Sequence, residues 1–124
     1  MSAVNTNSAQ EPAQEEIERL HDQLRALQEP KGYFFNKDDS YTFPLLKELL
    51  NTRARYGYMA CPCRMANGQR ELDRDIICPC LYREADVREY GACFCGLYVS
   101  RQWNEGETEH VYIPDRRPPD KIVL

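Results

Sequence analysis

All six cysteines of the 124-residue chain fall between Cys61 and Cys95, in three pairs with one residue between partners. The pairs are Cys61-Pro62-Cys63, Cys78-Pro79-Cys80 and Cys93-Phe94-Cys95. Thiolates are soft ligands that select zinc, copper(I) or iron–sulfur clusters, and paired thiols are also redox couples. Six can be divided in several ways. They could form three disulfides, a four-cysteine zinc site with two spares, a two-metal zinc cluster, or a four-cysteine iron–sulfur cluster with two thiols over. Structural zinc usually draws its ligands in Cys-x2-4-Cys pairs, and a rigid proline between two cysteines fits that knuckle less well. The four-plus-two division has a chemical attraction. A ferredoxin supplies one electron at a time, whereas reducing a disulfide takes two, and a cluster touching the disulfide can hold the half-reduced state. Inventory alone assigns no roles.

Composition narrows the setting. With 16 Lys+Arg against 20 Asp+Glu the net charge is -4, evenly spread along the chain, which argues against a nucleic-acid partner. No run approaches the roughly 18 apolar residues of a membrane helix, so no membrane is expected. Residues 1–12 show neither a secretory nor a transit pattern, and the reading is cytoplasmic. Clustered cysteines in that setting point to metal or redox chemistry more than to disulfide staples. No Gly-rich dinucleotide fingerprint is present, so electrons are expected by protein contact and not from bound NADPH.

The elements that must position the pairs read as a mainly α, small single domain of short helices. Residues 1–11 are expected to be a flexible tail and 12–124 one domain. A helix is predicted from Pro12 to Gln28, with Ile17, Leu20, Leu24 and Leu27 on one stripe, ended by Glu29-Pro30-Lys31-Gly32. An aromatic loop over 33–42 leads to a second helix, about Phe43 to Tyr56, capped by Thr42 and burying Leu45, Leu46, Leu49 and Leu50, with Gly57 as its stop. A turn at Asn67-Gly68, a short helical stretch over 69–75 and a helix over Arg83–Tyr90 stopped by Gly91 follow. Two short extended segments, 97–99 and 110–113, and a surface strip over 115–124 complete the chain. Each cysteine pair thereby falls at a helix end or loop.

Other residues read more plainly. His21 is placed on the polar side of the first helix, and His110 is taken as structural. Tyr33, Phe34, Phe35, Tyr41, Phe43, Tyr56 and Tyr58 are expected to pack the core and shield the site. Arg64, Arg70, Arg74, Arg83 and Arg88 flank the pairs, and six acidic side chains share residues 61–95. They read as a mixed solvated surface, with the alternative that some face an acidic electron donor or offset a negative cluster.

The string Cys-Pro-Cys-Arg at 61–64, the Cys-Pro-Cys at 78–80 and the third Cys-x-Cys at 93–95 resemble the catalytic chain of ferredoxin:thioredoxin reductase, as does the Tyr-Gly-Tyr approach to Cys61. The resemblance covers roughly residues 12–100. It implies a mainly α fold whose loops wrap a [4Fe–4S] cluster, with Cys61, Cys78, Cys80 and Cys93 as ligands. It makes Cys63 and Cys95 the redox-active pair, Cys63 attacking the target and Cys95 lying against the cluster. The implied partners are a ferredoxin-like donor and a thioredoxin- or glutaredoxin-like disulfide protein, with room for the small second subunit of plant-type relatives. Photosynthetic members carry His between the last two cysteines, where this chain has Phe94, and the gaps between pairs differ. The chain therefore resembles a non-photosynthetic member.

Overall fold

In the computed structural model, which describes residues 11–123, helix formation begins close to where apolar periodicity begins. Helix α1 (Gln14–Gln28) carries Glu15 and Glu16 in its first turn, at the positive end of its dipole, and buries Ile17, Leu20 and Leu24. Leu27, expected on the same stripe, is 60% exposed. In the last turn the 3.6-residue period has carried Leu27 to the edge of the buried face and Gln28 onto it. The predicted tail lies outside the described residues except for Glu11, which pairs with Lys47.

After a 3-10 turn at Glu29–Lys31, strand β1 (Phe34–Phe35) pairs antiparallel with β2 (Tyr98–Val99), Phe34 opposite Val99 and Phe35 opposite Tyr98. The ladder is short, yet it ties the entrance of the second helix to the residues just past the third cysteine pair. Helix α2 (Asp39–Tyr56) starts four residues before its predicted start. Asp38 is the cap: its carboxylate accepts from the Ser40 backbone N–H at 3.1 Å and from Ser40 Oγ at 2.6 Å. Thr42, expected in that role, is fully buried inside the helix and donates Oγ1 to the Asn36 carbonyl at 2.6 Å. Leu46, Leu49 and Leu50 face inward against α1 as predicted, Leu45 is partly buried beside them, and Gly57 closes the helix with φ of 89°.

The rest of the chain is mostly irregular. Helix α3 (Arg83–Tyr90) has the predicted bounds and stops at Gly91, whose φ of 85° suits glycine. The polar stretch after β2 forms a single turn of helix, α4 (Arg101–Asn104), capped by Ser100 Oγ. Residues 69–75 are turns leading into a 3-10 turn at Arg74–Ile76, not a helix. The Asp73 carboxylate takes the backbone N–H groups of Asn67 and Gly68 at 2.9 and 3.0 Å, which favours a closed turn over a helical start. The expected strand at 110–113 is not formed, and His110 instead stacks on Trp103 with ring centroids 3.6 Å apart.

One apolar cluster joins the two long helices to the cysteine loops. Ile17, Leu20, Leu24, Leu46, Leu49 and Leu50 continue into Ile76, Leu97, Tyr98, Cys61, Cys93 and Cys95. His21 belongs to its margin and not to the polar side: it stacks between Phe35 and Phe43 at 4.9 and 5.1 Å. Among the described residues no helix is long and apolar enough to cross a membrane.

Candidate cysteine redox centre

The three pairs are brought together by backbone bonds that bypass helices. Ala60 and Ile77 form an antiparallel bridge, with Cys61 N donating to Ile76 O at 2.8 Å and Cys78 N to Met59 O at 2.7 Å. The first and second pairs therefore leave one small ladder side by side. Thr52 on α2 anchors that ladder, its Oγ1 accepting from Ala60 N at 3.0 Å. The third pair is held by a bridge between Ala92 and Val99, with Cys93 N donating to Tyr98 O at 2.8 Å. Its turn closes at Gly96, and Tyr41 lies so near that a Cβ there would meet the ring at 3.0 Å. The Tyr41 hydroxyl donates to the Cys95 carbonyl at 2.7 Å, pinning the turn from α2.

Five of the six cysteines, Cys61, Cys78, Cys80, Cys93 and Cys95, line one small cavity, together with Arg64, Arg83, Phe94 and Tyr98. Cys63 is exposed and lies outside this lining, whereas Cys61, Cys93 and Cys95 are buried. Cys95 occupies the wall between the two settings. Its thiol is within hydrogen-bonding reach of Cys61, Cys63 and Cys93, the last with sulfurs 3.8 Å apart. All six thiols are free.

Those contacts set the acidities. Bonds to three neighbouring sulfurs, then burial, push the Cys95 thiol well up, so it is the proton donor of the group. Its hydrogen bond lowers Cys63 against a smaller opposing effect of burial. The same donor, helped by backbone N–H groups of Gly96, Leu97 and Tyr98, brings Cys93 down to about 7. Cys61 is lowered likewise, first by Cys95. Burial pushes Cys78 well up and Cys80 up, with Arg64 opposing it at Cys80. The exposed thiol of the set is thus also one of the more acidic, the combination that makes a thiol reactive.

Two of the five flanking arginines are not solvated surface. Arg64 is buried: Nη1 points to Cys80 Sγ at 3.4 Å and Cys61 Sγ at 3.7 Å, and Nε donates to Asp115 at 2.8 Å. Burial alone would weaken its charge, but the bond to Asp115 and the neighbouring thiolates hold it firmly protonated. Arg83 is buried too, bonded to Gln28 at 2.8 Å and lying over the rings of Tyr33 and Tyr98. Arg70, Arg74 and Arg88 are exposed, as the plainer reading expects. Neither histidine lines the cavity.

The C-terminal segment is the part that sequence reasoning missed. Expected to be a surface strip, it inserts Arg117 to 5% exposure. Arg117 donates to Asp75 at 2.9 Å, to Asp73 at 3.4 Å and to the carbonyls of Met65 and Leu72 at 2.9 and 3.1 Å. Arg116 binds buried Asp86 and Glu89 on α3. Asp115, Arg116 and Arg117 therefore clamp the turn after the first pair, the turn before the second and the helix after it. The one available signal was the repeated Asp and Arg content, since an irregular strap has no periodicity to read.

The donor set suits an anionic, thiolate-held group. Five thiols from three loops face one cavity, a guanidinium donates to two of them, and Phe94 and Tyr98 supply an apolar wall. Among the described residues no three His, Cys, Asp or Glu side chains converge at the spacing of a single metal ion.

A mainly helical frame with buried thiols around a cavity and one exposed thiol beside it defines a thiol-based redox protein. Comparison with protein families matches residues 10–115 to the ferredoxin thioredoxin reductase catalytic beta chain, and the chain belongs to that family. The family assignment implies a disulfide-reducing oxidoreductase of the thioredoxin reductase type, with an iron–sulfur cluster and partners named by ferredoxin and thioredoxin. No significant match to a curated protein was found. Arg116 and Arg117 lie beyond the matched residues.

Proposed function

We propose that the chain is a cytoplasmic iron–sulfur disulfide reductase, taking single electrons from a ferredoxin-like donor and reducing the disulfide of a thioredoxin- or glutaredoxin-like protein. In this reading residues 12–124 act as one domain. Cys61, Cys78, Cys80 and Cys93 hold a [4Fe–4S] cluster, and Cys63 and Cys95 form the redox-active pair. The observation that carries the reading is the setting of the six sulfurs: five line the cavity, Cys63 alone is exposed, and Cys95, one of the five, also neighbours Cys63.

When bound, the cluster supplies one-electron chemistry next to a bond that needs two electrons. The protein's own residues do the rest. The Cys63 thiolate attacks one sulfur of the target disulfide, forming a mixed disulfide and releasing the other target sulfur as thiolate. Cys95, deprotonated, then attacks Cys63 Sγ, which frees the second target sulfur and closes the Cys63–Cys95 disulfide. The target has gained two electrons, with one proton from Cys95 and one from solvent, and two electrons and one proton must return to reopen the pair as the Cys63 thiolate and the Cys95 thiol. Tyr41, bonded to the Cys95 carbonyl, keeps the turn in place while its sulfur changes partner.

The test is anaerobic purification with iron, sulfide and zinc analysis, followed by two variants. Iron and sulfide in equal amounts are expected. Cys63→Ser should abolish disulfide reduction and keep the cluster, whereas Cys78→Ser should lose the cluster and much of the fold with it. A colourless zinc protein, or a Cys63→Ser variant that no longer holds iron, would sink this division of roles.

A further inference from the structure

We infer that Arg64 is a positioning residue that sets the charge balance of the four-cysteine cage, and that Asp115 of the C-terminal strap holds it to that task. The inference rests on the cluster reading above. Three observations support it. First, a single nitrogen, Nη1, reaches sulfurs from two different pairs, Cys80 at 3.4 Å and Cys61 at 3.7 Å. Hydrogen bonds to ligand sulfurs and net charge are among the levers that set a cluster's potential. Second, the Arg64 side chain is 1% exposed, so its charge is little screened by solvent. Third, the buried Nη2 has no partner among the described residues although Arg64 lines the cavity. A buried N–H without an acceptor is costly, and an anionic group held by the cage would relieve that cost.

The guanidinium is also locked in orientation. It lies over the Phe94 ring at 4.5 Å and the Tyr82 ring at 5.0 Å, while Nε is held by Asp115 at 2.8 Å. Asp115 is fixed in turn, since its Oδ1 accepts the Arg117 backbone N–H at 3.0 Å. Arg83 lines the same cavity but is occupied by Gln28 and two aromatic rings, without a hydrogen bond to sulfur among the described residues. Phe94, where photosynthetic relatives carry His, thus serves here as a face for the arginine.

The sign follows from charge. A buried cation beside an anionic cage favours the state with the extra electron, so removing it lowers the reduction potential. Asp115 partly neutralises that cation. Asparagine at 115 keeps the acceptor oxygen and removes the charge, and so raises the potential.

The experiment is a spectroscopically monitored redox titration of the iron-loaded protein, with iron and sulfide content measured on each sample. Arg64→Met should keep its cluster and shift the reduced-to-oxidised ratio about tenfold toward the oxidised side at a given potential, about 59 mV for one electron. Arg64→Lys should recover part of the shift, because an ammonium restores charge but not the fork that spans two sulfurs and Asp115. Asp115→Asn should move the potential the opposite way by less. An Arg64→Met protein with full iron at the wild-type potential overturns the inference. If that variant loses its cluster, Asp115→Asn decides: an upward shift supports the role, and an unchanged or lower potential overturns it. A wild-type protein without iron and sulfide overturns the cluster reading itself, an outcome distinct from an intact cluster indifferent to Arg64.

Discussion

The helical and the cysteine-bearing regions of this molecule are held together by different physics. α1 and α2 meet through Ile17, Leu20, Leu24, Leu46, Leu49 and Leu50, an apolar contact that tolerates small shifts and has no directional demands. The loops that carry the cysteines contribute Ile76 and Leu97 to that core, but their shape is fixed by charge. Tyr58 and Tyr82 donate to Asp73 and Asp75 at 2.6 and 2.7 Å, and Arg117 binds both carboxylates. A redox site needs irregular backbone that places sulfurs from three loops within one cavity, and such backbone leaves polar groups that must be met individually. Greasy packing cannot supply that. The contrast teaches that the frame and the site can fail separately.

Arg117→Ala should have the largest effect. It strands two buried carboxylates and two carbonyls, for which a loss of about 3–5 kcal/mol is expected. Urea unfolding should show it, and iron retention should fall in parallel because the turns around the first two pairs come free. Retained iron at near-wild-type stability would break the proposed separation. Leu46→Ala, at a site with 0% exposure, should cost about 2–4 kcal/mol by emptying part of the apolar contact. Below its lowered melting temperature it should still bind iron fully, and a Leu46→Ala protein that purifies without iron would mean the two regions are one cooperative unit.

The smallest effect is expected from moderate acid. Burial pushes Asp73 and Asp75 up, but hydrogen bonds from Tyr58, Asn67 and Gly68 to Asp73, and from Tyr82 and Arg117 to Asp75, more than offset it and leave both carboxyls below the ordinary range. Groups depressed on folding contribute stability that is present above their unfolded value, about 3.9, and is lost as pH falls through the folded one. Between pH 8 and 5 the stability owed to this pair should therefore stay flat, declining only below about 4. Comparison of the wild type with Asp75→Asn across that range checks it, and a slope difference near pH 6 would contradict it.

How much of this was legible beforehand follows the same division. The apolar stripe of α1, the buried leucines of α2 and the Gly91 stop were readable because a helix repeats. The cap of α2 was misplaced by four residues: Asp38 and Ser40 make the local bonds, and Thr42, a good cap by type, is occupied with Asn36. His21 looks polar by position, yet two phenylalanines distant in sequence give it a stacking site. The cysteine pairs announced a thiol site through spacing alone. What held them did not announce itself, because Arg117 meets Asp73 and Asp75 across some forty residues of irregular chain. The arginine in Cys-Pro-Cys-Arg reads from sequence as a flank, and only its contacts place it inside.

Cys63 stands at the surface while its neighbour Cys95 is 4% exposed. On the proposed roles, a visiting protein joins to the chain at Cys63, the one exposed thiol, and the bond made there is cut by Cys95 from the buried side. Entry and exit are separated by the thickness of a single side chain. In that reading the order of events follows from the shape of the turn.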